Sequence, residues 1–195
     1  MHRIDGQPRS GGRTLDTSPA LERFLASVER RAYRMAWVAT SHREDALDIV
    51  QDAMLRLVKG YAGRDAAEWG PLFQRILQST INDWHRRSQV RNRWRQWLSF
   101  GRDAEADEAD PLETTVADQA PEPGAQLAAD QAMTVLDAAL QALPLRQQQA
   151  FLLRHWEGLS VAETAAAMGC SEGSVKTHFS RAVQNLRDKL EGHWP

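Results

Sequence analysis

Apolar side chains recur along this chain at three- and four-residue steps, and no stretch alternates them with polar ones at a period of two. The first spacing keeps one face of a helix buried, whereas alternation would serve a strand, so the protein is predicted to be all-α. From Pro19 onward, Leu21, Phe24, Leu25, Val28, Ala32, Met35 and Val38 share one face, opposite Glu22, Arg23, Glu29, Arg30 and Arg34, giving a helix that ends near Thr40 and Ser41. A second helix covers REDALDIVQDAMLRLVKGY, with Leu47, Val50, Met54, Leu57 and Val58 inward and Asp45, Asp48, Asp52, Arg56 and Lys59 outward. Gly60 to Gly70 reads as a loop with an aromatic towards each end, Tyr61 and Trp69. A third helix, Leu72 to about Arg95, buries Phe73, Ile76, Leu77, Ile81 and Trp84. After a gap in the pattern, a helix from near Gln126 to Leu143 is broken at Pro144 and resumes as LRQQQAFLLRHWEGL.

The last patterned stretch, LSVAETAAAMGCSEGSVKTHFSRAVQNLRDKL, carries the most specific local signals. Ser160 with Glu163 three residues later is a capping box, so a short helix starts at Val161. Gly169 suits its left-handed C-terminal cap, and Ser171 offers the N-cap of a longer helix. In that helix Val175, Phe179, Ala182, Leu186 and Leu190 form the buried stripe. Ser174, Thr177, Ser180, Arg181 and Gln184 face outward, with Lys176 and His178 at the edges. The run Ala165, Ala166, Ala167 lets the first helix cross closely over the second. This is a helix-turn-helix, and its outward face is short, polar and cationic at its N-terminal half, as entry into a major groove requires. A helical hairpin with a merely solvated face would account for each helix but not for capping box, glycine turn, second cap and polar helix in that order.

Charge then divides the chain. Residues 19–100 hold fourteen Lys and Arg against nine Asp and Glu, residues 101–125 one against eight, and residues 126–195 six against seven, all within a formal net charge of −2. Residues 100–125, rich in Asp, Glu, Ala and Pro, are expected to be an acidic linker unable to bury a core, and residues 1–18 a disordered tail. Two small helical domains follow, 19–99 and 126–195. The lone Cys170 excludes an internal disulfide and reads as a small apolar filler of the turn. The sequence shows no apolar run of transmembrane length and no signal-peptide core, which places the protein in the cytoplasm without membrane insertion. Neither metal-ligand spacing, phosphate-binding glycine loop nor nucleophile elbow occurs, so no enzyme activity, metal or cofactor is expected.

Two polar faces carry further signals. In HRRSQVRNRWRQW, Arg86, Arg87, Arg91, Arg93 and Arg95 alternate with aromatics in a helix that also bears Trp84, Trp94 and Trp97. Five arginines in ten residues exceed what a helix dipole needs, and the combination suits phosphates and unstacked bases. Asp48, Asp52 and Arg56 are open to two readings, a docking surface or a solvated face whose pairs each contribute roughly 0.2–0.5 kcal/mol. Trp69 is equally open: a ring for an unpaired base, or a core residue closing its loop onto Phe73.

These residues, in this order, resemble an extracytoplasmic-function sigma factor of bacterial RNA polymerase, over residues 20–98 and 126–190. LPLRQQQAFLLRHWEGLSVAETAAAMGCSEGSVKTHFSRAVQNLR is similar to sigma region 4, EDALDIVQDAMLRL to region 2.2, and INDWHRR to the junction of regions 2.3 and 2.4. The resemblance implies a factor that binds core RNA polymerase, recognises minus-35 and minus-10 promoter elements and melts DNA. It implies that Asp48, Gln51 and Asp52 meet the clamp of the largest polymerase subunit, with a further contact to the flap of the second-largest. Ser174, Lys176, Thr177, His178, Ser180 and Arg181 would face the minus-35 element. Trp69, Ser79, Asn82, Asp83, Arg86 and Arg87 would handle the minus-10 element, although Ser79 replaces an asparagine common in the family and Leu72 an aromatic. An anti-sigma factor is a further implied partner. The competing function is a two-domain helix-turn-helix regulator that binds duplex DNA without polymerase.

Overall fold

A computed structural model describes residues 18–99 and 134–190, the side chains of Asn92 and of residues 95–99 excepted. The expected tail (residues 1–17 of it) and the acidic linker lie outside the described residues. Within them every regular element is helical: α1 (Pro19–Thr40), α2 (Arg43–Tyr61), α3 (Ala66–Ser99), α4 (residues 134–141), α5 (Leu145–Phe151), α6 (Val161–Met168) and α7 (Glu172–Leu190).

Ser18 is part of the fold, because its hydroxyl accepts from the Leu21 amide and caps α1. Ser41 ends the helix in the left-handed region, its amide donating to the Trp37 carbonyl at 2.8 Å. The side chain of His42 then caps α2. Helices α1, α2 and α3 pack mutually around Leu21, Met35, Ile49, Leu57, Phe73, Leu77 and Ile81. Each such fully buried aliphatic or aromatic residue contributes roughly 1.5–3 kcal/mol.

The expected loop from Gly60 to Gly70 is mostly helix. Asp65 accepts from the Ala67 amide at 2.9 Å and starts α3 six residues before Leu72. Pro71 lies inside the helix, where it offers no amide to the Ala67 carbonyl and its ring crowds that carbonyl. A second correction concerns Leu47, which is 49% exposed and not turned to the core. The apolar positions of α2 cover more of the helix surface than its neighbours α1 and α3 bury, and Leu47, Gln51 and Leu55 repeat at four-residue steps on the uncovered side.

In the C-terminal half, α5 runs into a π-helical turn, Leu152–Trp156, and Gly158, at φ 69°, reverses the chain. The two halves are not apart. Helix α6 lies along α3, α5 touches α1, and the buried residues of both halves form one continuous cluster.

Candidate nucleic-acid interface

The helix-turn-helix forms as its capping residues dictate. Ser160 Oγ accepts from the Glu163 amide at 3.2 Å and Glu163 Oε2 from the Ser160 amide at 2.7 Å. The serine side chain and then the backbone amide hold the Glu163 carboxyl below its ordinary pKa. Gly169, at φ 62°, closes α6, and Ser171 Oγ accepts from the Ser174 amide at 3.2 Å to open α7. Val175, Ala182 and Leu186 are buried and fix the rotation of α7. Arg146 donates to the Met168 carbonyl at 3.0 Å and Gln147 accepts from Asn185 at 2.8 Å, so α5 holds both helices of the motif.

This rotation leaves Lys176, Thr177, Ser180 and Arg181 exposed and Ser174 and His178 half-buried. Thr177 Oγ1 donates to the Gly173 carbonyl at 3.0 Å and Ser171 and Ser174 share a hydrogen bond, leaving acceptor capacity on each hydroxyl. The exposed groups can donate to phosphates and base edges.

On α3, Ser79, Arg86 and Arg87 are exposed and Asn82 and Asp83 half-buried. Asp83 pairs with Arg86 at 3.2 Å while its carbonyl accepts from Arg87 Nε at 3.2 Å, so the acid orients two cations. Trp69 does not join this set. It is buried at 5% exposure, its ring is 5.9 Å from Phe24, and its indole N–H donates to the Tyr61 carbonyl at 3.2 Å. A helix holds this ring inside the bundle, so the expectation of a loop tryptophan stacked on an unpaired base is not met. Among the described side chains of α3, Trp94, at 61% exposure, is a large aromatic presented at the surface.

The three expected docking residues divide between two grooves. Asp48 and Asp52 line a groove of about 340 Å³ with Asp45, facing Arg87 and Arg91 of α3, and Asp52 pairs with Arg56 at 2.8 Å. Trp84 is in the same groove and its indole N–H is buried without a partner. Gln51 lines a larger groove, about 700 Å³, between α1 and α2 with Leu25, Tyr33, Leu47, Met54 and Leu55. Sequence reading missed Leu47 and Leu55 as surface residues. Their shared four-residue step with Gln51 is the signal that marks them.

A third space, about 550 Å³, opens between the halves: Asn82, His85, Arg86 and Gln89 of α3 face Arg146 of α5 and His178 and Arg181 of α7. Among the described residues no group of His, Cys, Asp and Glu could hold a metal ion, and no helix is long and apolar enough to cross a membrane.

Capped, cation-bearing α7 on a helix-turn-helix, preceded by a three-helix unit with an arginine-rich end, defines a DNA-binding protein of the helix-turn-helix class. Residues 133–186 match the family described as Sigma-70, region 4. The RNA polymerase sigma-E factor of Streptomyces antibioticus is 32% identical over 164 residues, which cover 76% of this chain and 84% of that protein. The ECF RNA polymerase sigma factor SigD of Mycobacterium tuberculosis H37Rv is 31% identical, with 91% and 90% covered. Among solved structures, the sigma factor RpoE of Bartonella quintana, in complex with the anti-sigma factor NepR, matches with a TM-score of 0.58 and 25% identity over 87% of this chain and 96% of that one. The chain belongs to the extracytoplasmic-function family of RNA polymerase sigma factors. It is a factor of transcription initiation.

Proposed function

We propose that this sigma factor binds core RNA polymerase in the cytoplasm and carries it to promoters with α7 on the minus-35 element and α3 on the minus-10 element. Ser174, Lys176, Thr177, His178, Ser180 and Arg181 enter the major groove at minus-35. Ser79, Asn82, Asp83, Arg86 and Arg87 handle the minus-10 strand, with Trp94 in place of Trp69 as the aromatic for an unpaired base. Stacking on such a ring returns roughly 1–3 kcal/mol per base, comparable with the few kcal/mol needed to unstack it. Asp48, Gln51 and Asp52 dock on the clamp of the largest subunit, and the C-terminal half contacts the flap of the second-largest. An anti-sigma factor restrains the protein, a reading supported by likeness to a sigma factor solved in complex with one.

The observation that carries this reading is α7 itself, capped by Ser171 and exposing Lys176, Ser180 and Arg181 inside the segment that matches sigma region 4. The chemistry is binding and melting, and the polymerase performs catalysis. Run-off transcription with core polymerase, with and without the protein, tests it on a template selected from randomised promoters. Initiation restored only when the protein is added is the expected result. A protein that binds its duplex alone and leaves core polymerase inactive would be the competing regulator.

A further inference from the structure

Helices α3, α5 and α7 converge on the cleft of about 550 Å³. The apolar cluster that runs through both halves holds them there, with α6 along α3 and α5 against α7. Each of the three helices contributes one guanidinium: Arg86 from α3, Arg146 from α5 and Arg181 from α7. Among the described residues no Asp or Glu lines the cleft. Asp83 engages one terminal nitrogen of Arg86, at 3.2 Å. Arg146 commits Nη1 to the Met168 carbonyl at 3.0 Å and to Gln149 at 3.4 Å. Arg181 has no ion-pair partner among the described residues. A guanidinium carries five N–H donors, so all three keep donors to offer.

The neutral side chains add to the same chemistry. Asn82 Oδ1 accepts from Gln149 Nε2 at 3.2 Å, and Gln147 Oε1 accepts from Asn185 Nδ2 at 2.8 Å. With their oxygens engaged from behind, both amides are left with their N–H groups as donors. A cleft of donors without a carboxylate is complementary to an anion, and guanidiniums match phosphoryl oxygens in bidentate pairs. Three guanidiniums arriving from three helices exceed what one phosphoryl group neutralises. No Phe, Tyr or Trp lines the space, so a nucleobase finds no aromatic face there and the phosphoryl groups must carry recognition. The volume falls within the roughly 300–1,000 Å³ of small-molecule clefts.

We propose that this cleft binds a small oligophosphate, a molecule with two or more linked phosphoryl groups, through Arg86, Arg146 and Arg181. The site goes beyond promoter recognition, in which Arg86 and Arg181 have roles of their own and Arg146, Gln147 and Gln89 have none. Isothermal titration calorimetry of the full chain with inorganic tripolyphosphate tests it without DNA or polymerase. Tripolyphosphate binds at one site per chain, and inorganic phosphate binds about tenfold more weakly or worse. Gln89 is an exposed residue of the cleft wall, and Gln89→Glu sets a carboxylate there. This variant weakens tripolyphosphate by about tenfold or more with circular dichroism unchanged, and Arg146→Gln does the same from α5. Lys176→Ala removes a cation of α7 that lies outside the cleft and leaves the affinity within about twofold. Absence of binding overturns the site, as does full affinity in both Gln89→Glu and Arg146→Gln. Equal weakening by Lys176→Ala and Gln89→Glu overturns it as well, because the attraction is then to a diffuse basic surface. A short oligothymidylate that binds more tightly than tripolyphosphate, and is weakened by the same two cleft variants, gives the cleft to a nucleic-acid backbone and overturns the small-molecule ligand.

Discussion

Trp69→Ala separates a structural tryptophan from a base-handling one. The ring is buried between α1 and α3, 5.9 Å from Phe24, which itself meets Phe73 edge-on at 6.1 Å. Truncating a buried aromatic to alanine costs about 3–5 kcal/mol through lost transfer energy and the cavity left behind. The indole bond to the Tyr61 carbonyl adds about 1 kcal/mol, softened because Tyr61 is half-exposed and its carbonyl can turn to water. A loss of about 4 kcal/mol is a large share of a domain's total stability. With a slope near 2 kcal/mol per molar urea, the midpoint falls by about 2 M while the slope holds. Trp69→Phe keeps most of the ring and gives up the hydrogen bond, so its loss stays near 1–2 kcal/mol. Urea titration followed by far-ultraviolet circular dichroism measures both. A Trp69→Ala protein less than 1 kcal/mol weaker, yet unable to expose promoter thymines to permanganate, would refute the argument.

Arg181→Ala should cost about 1–3 kcal/mol on the preferred minus-35 sequence, while Lys176→Ala weakens all sequences alike and flattens the salt dependence, as holoenzyme binding to matched and scrambled sites will read. Ser160→Ala removes one arm of the capping box and should destabilise the helix-turn-helix by about 0.5–2 kcal/mol in a urea titration. Asp48→Asn with Asp52→Asn should leave circular dichroism unchanged and weaken pull-down of core polymerase; unchanged pull-down returns the pair to a solvated face. Burial raises the Glu157 pKa, with Arg31 opposing, so contact between the halves is favoured at low pH and weakens as pH rises through the Glu157 titration. Glu157→Gln should remove that part of the pH dependence of the radius of gyration, and an identical profile in the variant would sink the assignment.

Much of this fold was legible because its helices announce their own ends. Pro19, Ser160, Gly169 and Ser171 are local signals, and each stands at the boundary its chemistry predicts. The start of α3 was misread because Gly70 and Pro71 are stronger turn residues than Asp65 is a cap, although Glu68 three residues after Asp65 completes an acidic first turn. Trp69 was ambiguous for the same reason, since a loop exposes its residues and a helix assigns each a face. Leu47 was misplaced because periodicity counts apolar residues without knowing how many neighbours the helix has.

The contact between halves was illegible for a different reason. Hydrophobic pattern finds surfaces that leave water for good, and it reads glutamine as outward. Gln74 and Gln149 are buried nonetheless, because Gln74 finds the Glu157 carboxylate and Gln149 the Asn82 amide oxygen across the contact. An amide that can bond either to water or to its partner changes free energy little between the two. Leucines at those two positions would add buried apolar surface to the contact, worth roughly 1.5–3 kcal/mol each. Glutamine joins the halves through hydrogen bonds beside the apolar contacts, and the price is that the sequence pattern conceals it.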